Sequence, residues 1–78
     1  MRITYDPEAN AAKIYLVDEI GFGGVARSVP IRGEGIGELD FVFDFNRDGH
    51  LIGIEVIYAR EFLAVETLEN AQRPGQTP

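Results

Sequence analysis

The stretch LDFVFDFNRDGHLIGIEVIY, residues 39–58, decides the fold. On both sides of its central Asn-Arg-Asp-Gly run, apolar and polar residues alternate with a period of two, which is typical of β-strands. Gly49 supplies the positive φ that a tight turn requires, so residues 46–49 are predicted to turn a β-hairpin. The predicted register pairs Phe45 with His50, Phe43 with Ile52, Phe41 with Ile54 and Leu39 with Val56. Three of these four pairs are apolar on both strands, which favours this register.

The same stretch matches the calcium-loop pattern D-x-[DN]-x-[DN]-G-x5-E from Asp44 to Glu55. The candidate metal ligands within it are Asp44, Asn46 and Asp48. An EF-hand loop needs a helix on each side, and the strand alternation before Asp44 leaves no room for one. In a hairpin, Glu55 lies too far from the turn to complete a calcium shell. We therefore predict a turn, with weak calcium binding by its acids as an alternative.

The predicted register also sets Asp40 opposite Glu55, with their Cβ atoms about 5 Å apart. One hypothesis makes these two carboxylates the catalytic or ligand-binding groups of an acid–base enzyme. The other is a structural network on one sheet face, formed by Arg27, Asp40, Asp44 and Glu55. We favour the network, because structural networks also shift the pKa values of carboxylates and a chain this small offers no obvious cleft.

The rest of the chain is predicted to add three strands and a helix to this hairpin. Three more alternating segments precede it, MRITY, AAKIYLV and VARSVPI, and a glycine-rich run at residues 32–37 is predicted to be a flexible hairpin connection. Pro30 cannot donate a ladder hydrogen bond, so the third strand is predicted to be an edge strand or to carry a bulge. After Tyr58 the period becomes helical, with Phe62, Val65 and Leu68 on one stripe.

These elements predict a mainly β, α+β fold: a small antiparallel β-meander of about five strands with a short C-terminal helix on one face. We expect a single domain over residues 1–72 and a disordered tail over residues 73–78. The predicted central core consists of Leu39, Phe41, Phe43, Ile52, Ile54 and Val56.

The composition of the chain narrows the classes of function that it can have. The chain has 78 residues, 13 acidic and 7 basic, and no cysteine. A core this small gains no support from disulfides or cysteine-bound zinc, so a homodimer is expected. The dispersed basic residues disfavour nucleic acid, and the lack of a leader or a long apolar run predicts a cytoplasmic protein that does not span a membrane. The single Ser28 and single His50 fall two strands apart, which disfavours a hydrolase triad, and no cofactor motif is present.

Three segments carry a resemblance to a known family: YDPEANAAKIYL at residues 5–16, VARSV at 25–29 and DFNRDGHLIGIEVIYAREFL at 44–63. The chain resembles the small bacterial and archaeal proteins catalogued as domain of unknown function 2283. It departs from their pattern at Lys13, where an aromatic or aliphatic residue is usual, and after Leu63, where a proline is common. The resemblance implies no catalytic residues. Some relatives are encoded beside small RelE-like toxins, which implies an antitoxin-like role with a basic protein partner.

The leading hypothesis is therefore a non-enzymatic protein-interaction module, antitoxin-like or a regulatory subunit. A carboxylate-dependent enzyme or ligand-binding protein using Asp40 and Glu55, and a weak calcium module, remain the alternatives.

Overall fold

In the described part of the chain, five antiparallel strands form one sheet, and two short helices follow it. The computed structural model describes residues 1–32 and 39–74. Its elements are β1 (Arg2–Asp6), β2 (Ala11–Tyr15), β3 (Arg27–Ile31), β4 (Phe41–Phe45), β5 (Leu51–Ile57), α1 (Ala59–Phe62) and α2 (Val65–Asn70). The predicted mainly β class, the strand number and the antiparallel pairing are confirmed. The glycine-rich connection from residue 33 onwards and residues 75–78 of the predicted tail lie outside the described residues.

The strands stand in the order β1-β2-β5-β4-β3, so β2 pairs with β5 and not with its successor β3. This differs from a sequential meander at the one connection between β2 and β3, which carries the chain to the far edge. Pro30 gives a physical reason, because a strand that lacks an N–H there loses a ladder bond in the centre but not at an edge. The predicted edge position of the third strand is confirmed.

The β4–β5 hairpin forms at the predicted place but in a different register. Phe41 pairs with Val56 and Phe43 with Ile54, two residues away from the predicted pairing, and the ladder is irregular between Asp44 and Phe45. The predicted register was therefore wrong. A displacement of two residues keeps every side chain on its own face, so the alternation that fixes the faces cannot detect it.

The two helices cover part of one sheet face. Phe62 of α1 lies on Phe41 of β4, with ring centroids 4.8 Å apart. The buried cluster beneath the helices consists of Ala12, Val56 and Ala59, with partly buried side chains around it. Leu63 and Ala64 have extended backbones, which divides the predicted single helix into two. No helix within residues 1–32 and 39–74 is long and apolar enough to cross a membrane.

The predicted core is only partly correct. Val56 is 1% exposed and Ile52 6%, whereas Leu39 is 38% exposed and is not a core residue. Phe41, Phe43 and Ile54 are partly buried. Leu39 precedes β4, and the two-residue displacement moves Val56 from Leu39 to Phe41.

The end of the described chain protects one edge of the sheet. The Gln72 N–H donates to the Ile3 carbonyl at 2.9 Å, and the Tyr5 N–H donates to the Gln72 carbonyl at 2.7 Å. These two bonds pair the segment after α2 with the outer side of β1. The β1 edge is thereby covered, while β3 forms the other edge of the sheet.

Candidate functional site

The two faces of the sheet differ in chemistry, and the register says which side chains share each face. One face carries Ile14, Phe41, Phe43, Ile54 and Val56, and we name it the helix face because α1 packs on it. The opposite face carries Lys13, Tyr15, Val42, Asp44 and Glu55, and we name it the polar face. The candidates from the sequence divide between these two faces.

Asp44 is the centre of a charged cluster on the polar face. Its carboxylate is 2% exposed, and the Ser28 hydroxyl on β3 donates to Oδ1 at 2.6 Å. Lys13 Nζ on β2 lies 3.6 Å from Oδ2. A buried carboxylate is stable only when it is paired and hydrogen-bonded, and these two contacts supply both conditions. The arrangement therefore accounts for Asp44 structurally.

Two aromatic contacts extend this cluster toward the β1 edge. Lys13 Nζ lies 5.4 Å from the centroid of the Tyr15 ring, and the Arg2 guanidinium lies 4.0 Å from it. Cations at such distances are attracted to the negative face of the ring. The basic side chains thus lie against the protein instead of extending into solvent.

The structure does not bring the four residues of the predicted network together. Arg27 lies over the Phe45 ring, 5.0 Å from its centroid, and therefore on the side of β3 opposite to Ser28 and Asp44. Glu55 stands opposite Lys13 on β2 and Val42 on β4. Lys13, and not Arg27, is the cation beside Asp44. Lys13 was missed because the predicted strand order did not place β2 next to β5.

The two candidate catalytic carboxylates are not directly opposite one another. Asp40 is fully buried, and its carbonyl accepts from the Ile57 N–H at 2.8 Å, which sets it across from Ile57. Glu55 pairs with Val42 instead. Asp40 and Glu55 are diagonal neighbours, a relation that separates two residues by about 7–8 Å, with their Cβ atoms somewhat closer. The close carboxylate pair inferred from the predicted register is therefore not what the observed register gives.

A surface cleft of about 450 Å³ lies elsewhere, between the start of β1 and α2. Its lining includes Met1, Ile3, Glu66, Asn70 and Gln72. None of the carboxylates, hydroxyls or imidazoles singled out from the sequence lines this cleft. The described cleft and the candidate catalytic residues are thus separate features.

The hairpin turn uses its polar atoms to hold itself together. The Asn46 side-chain oxygen accepts from the N–H groups of Asp48 and His50, at 3.1 and 2.9 Å. The Gly49 N–H donates to the Asn46 carbonyl at 3.0 Å, and Gly49 has a φ of 84°. Asn46 is thus occupied as an acceptor, while Asp44 points into the buried cluster. Within the described residues, no group of three His, Cys, Asp or Glu side chains is placed to hold a metal ion.

One structural residue was not found from the sequence. Asn10 has a left-handed backbone with a φ of 52°, and its carbonyl accepts from the Ala59 N–H at 2.9 Å. Its side-chain oxygen accepts from the Arg60 N–H at 2.9 Å, and its amide donates to Glu61 at 3.0 Å. Asn10 therefore anchors α1 to the β1–β2 turn. The available signal was an asparagine at the end of a turn, a position that tolerates this backbone.

The β3 side of the helix face carries an apolar surface. Val29 pairs with Phe43, Ile31 with Phe41, and Arg27 with Phe45. We name the four apolar side chains that extend beyond Phe41 the apolar patch: Val29, Ile31, Phe43 and Phe45. All four are partly or substantially exposed, and none belongs to the cluster beneath the helices in the described part of the chain.

Comparison with known proteins identifies the family of the chain. The model of a family described as protein of unknown function (DUF2283) matches residues 2–60, well over half of the chain, so the resemblance seen in the sequence is confirmed. No curated protein and no solved structure matches the chain.

Proposed function

The chain belongs to the DUF2283 family, whose description assigns no activity, and we propose that it works in the cytoplasm as a non-enzymatic protein-interaction module. The observation that carries this proposal is the apolar patch on the β3 side of the helix face. The contacts of Asp44 with Ser28 and Lys13 stabilise its buried carboxylate, which supports a structural role for this cluster.

The apolar patch leaves four neighbouring apolar side chains in contact with solvent. Ile31 is 36% exposed, and Val29, Phe43 and Phe45 are partly exposed beside it. Covering the remaining surface of such a side chain contributes about 1 kcal/mol, so four adjacent ones contribute about 4 kcal/mol. Contiguous apolar surface of this kind is characteristic of protein-interaction sites, whereas isolated apolar side chains are not.

The charge distribution supports a second element of the proposal, an antitoxin-like or regulatory role toward a small basic protein. Acidic side chains are exposed at Asp18, Glu19, Asp48, Glu66 and Glu69. The Arg2, Lys13 and Arg27 side chains instead lie against Tyr15, Asp44 and Phe45. Arg32, Arg47 and Arg60 are exposed as well, but the chain as a whole carries a net charge of −6, which favours association with a basic protein and speeds its encounter.

Affinity capture from the protein's own cells tests this proposal. The tagged chain is captured at physiological salt, and co-purifying proteins are identified and quantified by mass spectrometry. Three forms are compared: the natural chain, Ile31→Glu in the patch, and Phe22→Ser as a matched control. Phe22 is fully exposed on the β2–β3 connection, so its replacement also removes apolar surface without disturbing the core.

The expected result is one stoichiometric protein, either this chain itself or a basic partner, that is retained with Phe22→Ser and lost with Ile31→Glu. Recovery of the same protein from all three forms would overturn the assignment of the patch. Loss with Phe22→Ser alone would move the contact to the β2–β3 connection and would likewise contradict the proposal.

A further inference from the structure

The cleft between the start of β1 and α2 plays no part in the proposed function. We infer that it binds a cationic group on an aliphatic stem, the chemistry that free polyamines share with the side chains of lysine and arginine. This site goes beyond the proposed function, because the strand order places the cleft at the β1 edge of the sheet and the apolar patch at the β3 edge.

The cleft has the size and the lining of a small-ligand site. Its volume of about 450 Å³ lies within the range that is typical of such sites. Met1 and Ile3 supply apolar atoms from the start of β1. The polar side chains come from α2 and the segment after it: Glu66, Thr67, Asn70 and Gln72. A lining of this kind suits a ligand that has an apolar stem and one polar end.

The polar side chains of the cleft offer more acceptors than free donors. The Asn70 side-chain nitrogen donates to the Glu66 backbone carbonyl at 2.8 Å, which leaves the Asn70 side-chain oxygen as an acceptor. The ionised carboxylate of Glu66 can only accept hydrogen bonds. Gln72 contributes a further side-chain oxygen. A ligand that donates several hydrogen bonds therefore fits this lining better than an anion does.

Gln72 Oε1 is the acceptor whose need for a donor is clearest. It is buried and accepts no hydrogen bond from the described residues, although two backbone bonds fix Gln72 to β1. Such unsatisfied buried atoms are destabilising and few in native structures. The last torsion of a glutamine side chain turns easily, so a donor in the cleft can meet this oxygen. A bound N–H group would thereby satisfy it.

The charge around the cleft favours a cation. Glu66 makes no ion pair within residues 1–32 and 39–74. Arg2 also lines the cleft, but its guanidinium lies 4.0 Å from the centroid of the Tyr15 ring and thus on the polar face, the opposite side of the sheet from α2. The net charge of −6 on the whole chain adds to the attraction of a cation.

A ligand titration of the purified full chain, followed by backbone amide NMR, tests this inference. The first probe is n-butylammonium chloride, which carries the cationic group and its stem alone. Equal concentrations of n-butanol and sodium chloride control for the stem without charge and for the charge without stem. Two further probes of equal charge, 1,4-diaminobutane and an end-blocked peptide with two lysines, compare a free polyamine with the side chain of a protein.

Three variants identify the groups that bind. Glu66→Gln removes the carboxylate, and Glu69→Gln is its matched control, because Glu69 is exposed on the same helix but is not part of the described lining. Gln72→Leu removes Oε1 with a side chain of similar size and leaves the backbone bonds to β1 in place. Circular dichroism confirms that each variant is folded.

Butylammonium should shift the amide signals of Ile3, Thr67 and Asn70 and saturate with a dissociation constant of about 1–10 mM, whereas n-butanol and sodium should not. Glu66→Gln should weaken binding about threefold and Gln72→Leu at least about fivefold, while Glu69→Gln should change it less than about 1.5-fold. Peptide binding at least as tight as that of diaminobutane would support the site with a partner's basic side chain as its ligand. Tighter binding of diaminobutane would support it with a free polyamine.

Three results would overturn the inference: no saturable shifts up to about 50 mM butylammonium, equal shifts with sodium, or unchanged binding in both folded Glu66→Gln and Gln72→Leu. None of them touches the apolar patch, so the proposed function can stand where this inference fails. Loss of capture with Ile31→Glu likewise leaves the cleft unaffected.

Discussion

Ser28→Ala tests whether the buried carboxylate of Asp44 is held for structural reasons. The Ser28 hydroxyl donates to Asp44 Oδ1 at 2.6 Å, and Asp44 is 2% exposed. Alanine removes the donor, which leaves Lys13 at 3.6 Å from the other oxygen. The carboxylate then lies in a site with one fewer partner, and its desolvation is no longer fully offset.

The expected loss of stability in Ser28→Ala depends on how exposed Ser28 is to water. A hydrogen bond to a charged group contributes about 1.5–3 kcal/mol when water cannot replace it. Ser28 itself is exposed, so water can partly fill the space that its hydroxyl leaves. We therefore expect a loss at or just below the lower end of this range, about 1–1.5 kcal/mol in the free energy of unfolding. In a domain of this size that corresponds to a fall of about 4–12 °C in Tm.

The assay is urea denaturation followed by circular dichroism, at one low protein concentration so that self-association does not contribute. A double-mutant cycle with Asp44→Val isolates the pair, because Ser28→Ala added to Asp44→Val should cost much less than it costs alone. A Ser28→Ala variant within about 0.3 kcal/mol of the natural chain, or strictly additive losses in the cycle, would refute the structural role of this bond.

Three further predictions concern the turn, the helix and the metal question. Gly49→Ala should lower the free energy of unfolding by about 1–2 kcal/mol because Gly49 has a φ of 84°, whereas Gly21→Ala, where an added Cβ meets nothing within 4 Å, should have little effect; urea denaturation compares them. Phe62→Ala should cost about 2–3 kcal/mol through its contact with Phe41, and denaturation without that loss would contradict the helix packing. Millimolar calcium should leave the Tm of the natural chain and of Asp48→Asn unchanged relative to magnesium, and a calcium-specific rise of several degrees would contradict the assignment of this loop as a turn.

The fold was largely predictable because local signals agree. Alternation identified the strands, the Asn46–Gly49 run identified the turn, and Pro30 identified the edge. The register was not predictable in the same way, because side-chain alternation is blind to a displacement of two residues and the irregular pairing at Phe45 leaves no clear mark in the sequence. The pairing of β2 with β5 was not predicted, because no local sequence pattern indicates that a strand pairs with one that is distant in the chain.

The candidate site shows the consequence of that limit. The pairing of Asp40 with Glu55 and the choice of Arg27 as the nearby cation both depended on register and order, and the observed sheet gives different neighbours. Lys13 becomes the partner of Asp44 only once β2 stands beside β5. The neighbours of a side chain on a sheet depend on strand order and register. Local sequence patterns do not contain this information, so they could not predict the contacts of Asp44.

The most direct test of the account is a dilution series of the natural chain followed by backbone amide and methyl NMR. If the apolar patch is an interaction surface for a second copy, shift changes with concentration should concentrate at Val29, Ile31, Phe43 and Phe45. The loop around Phe22 should remain unchanged. Changes centred on Phe22 instead of the patch would contradict the central claim, and spectra that do not change up to about 1 mM would contradict a second copy as the partner.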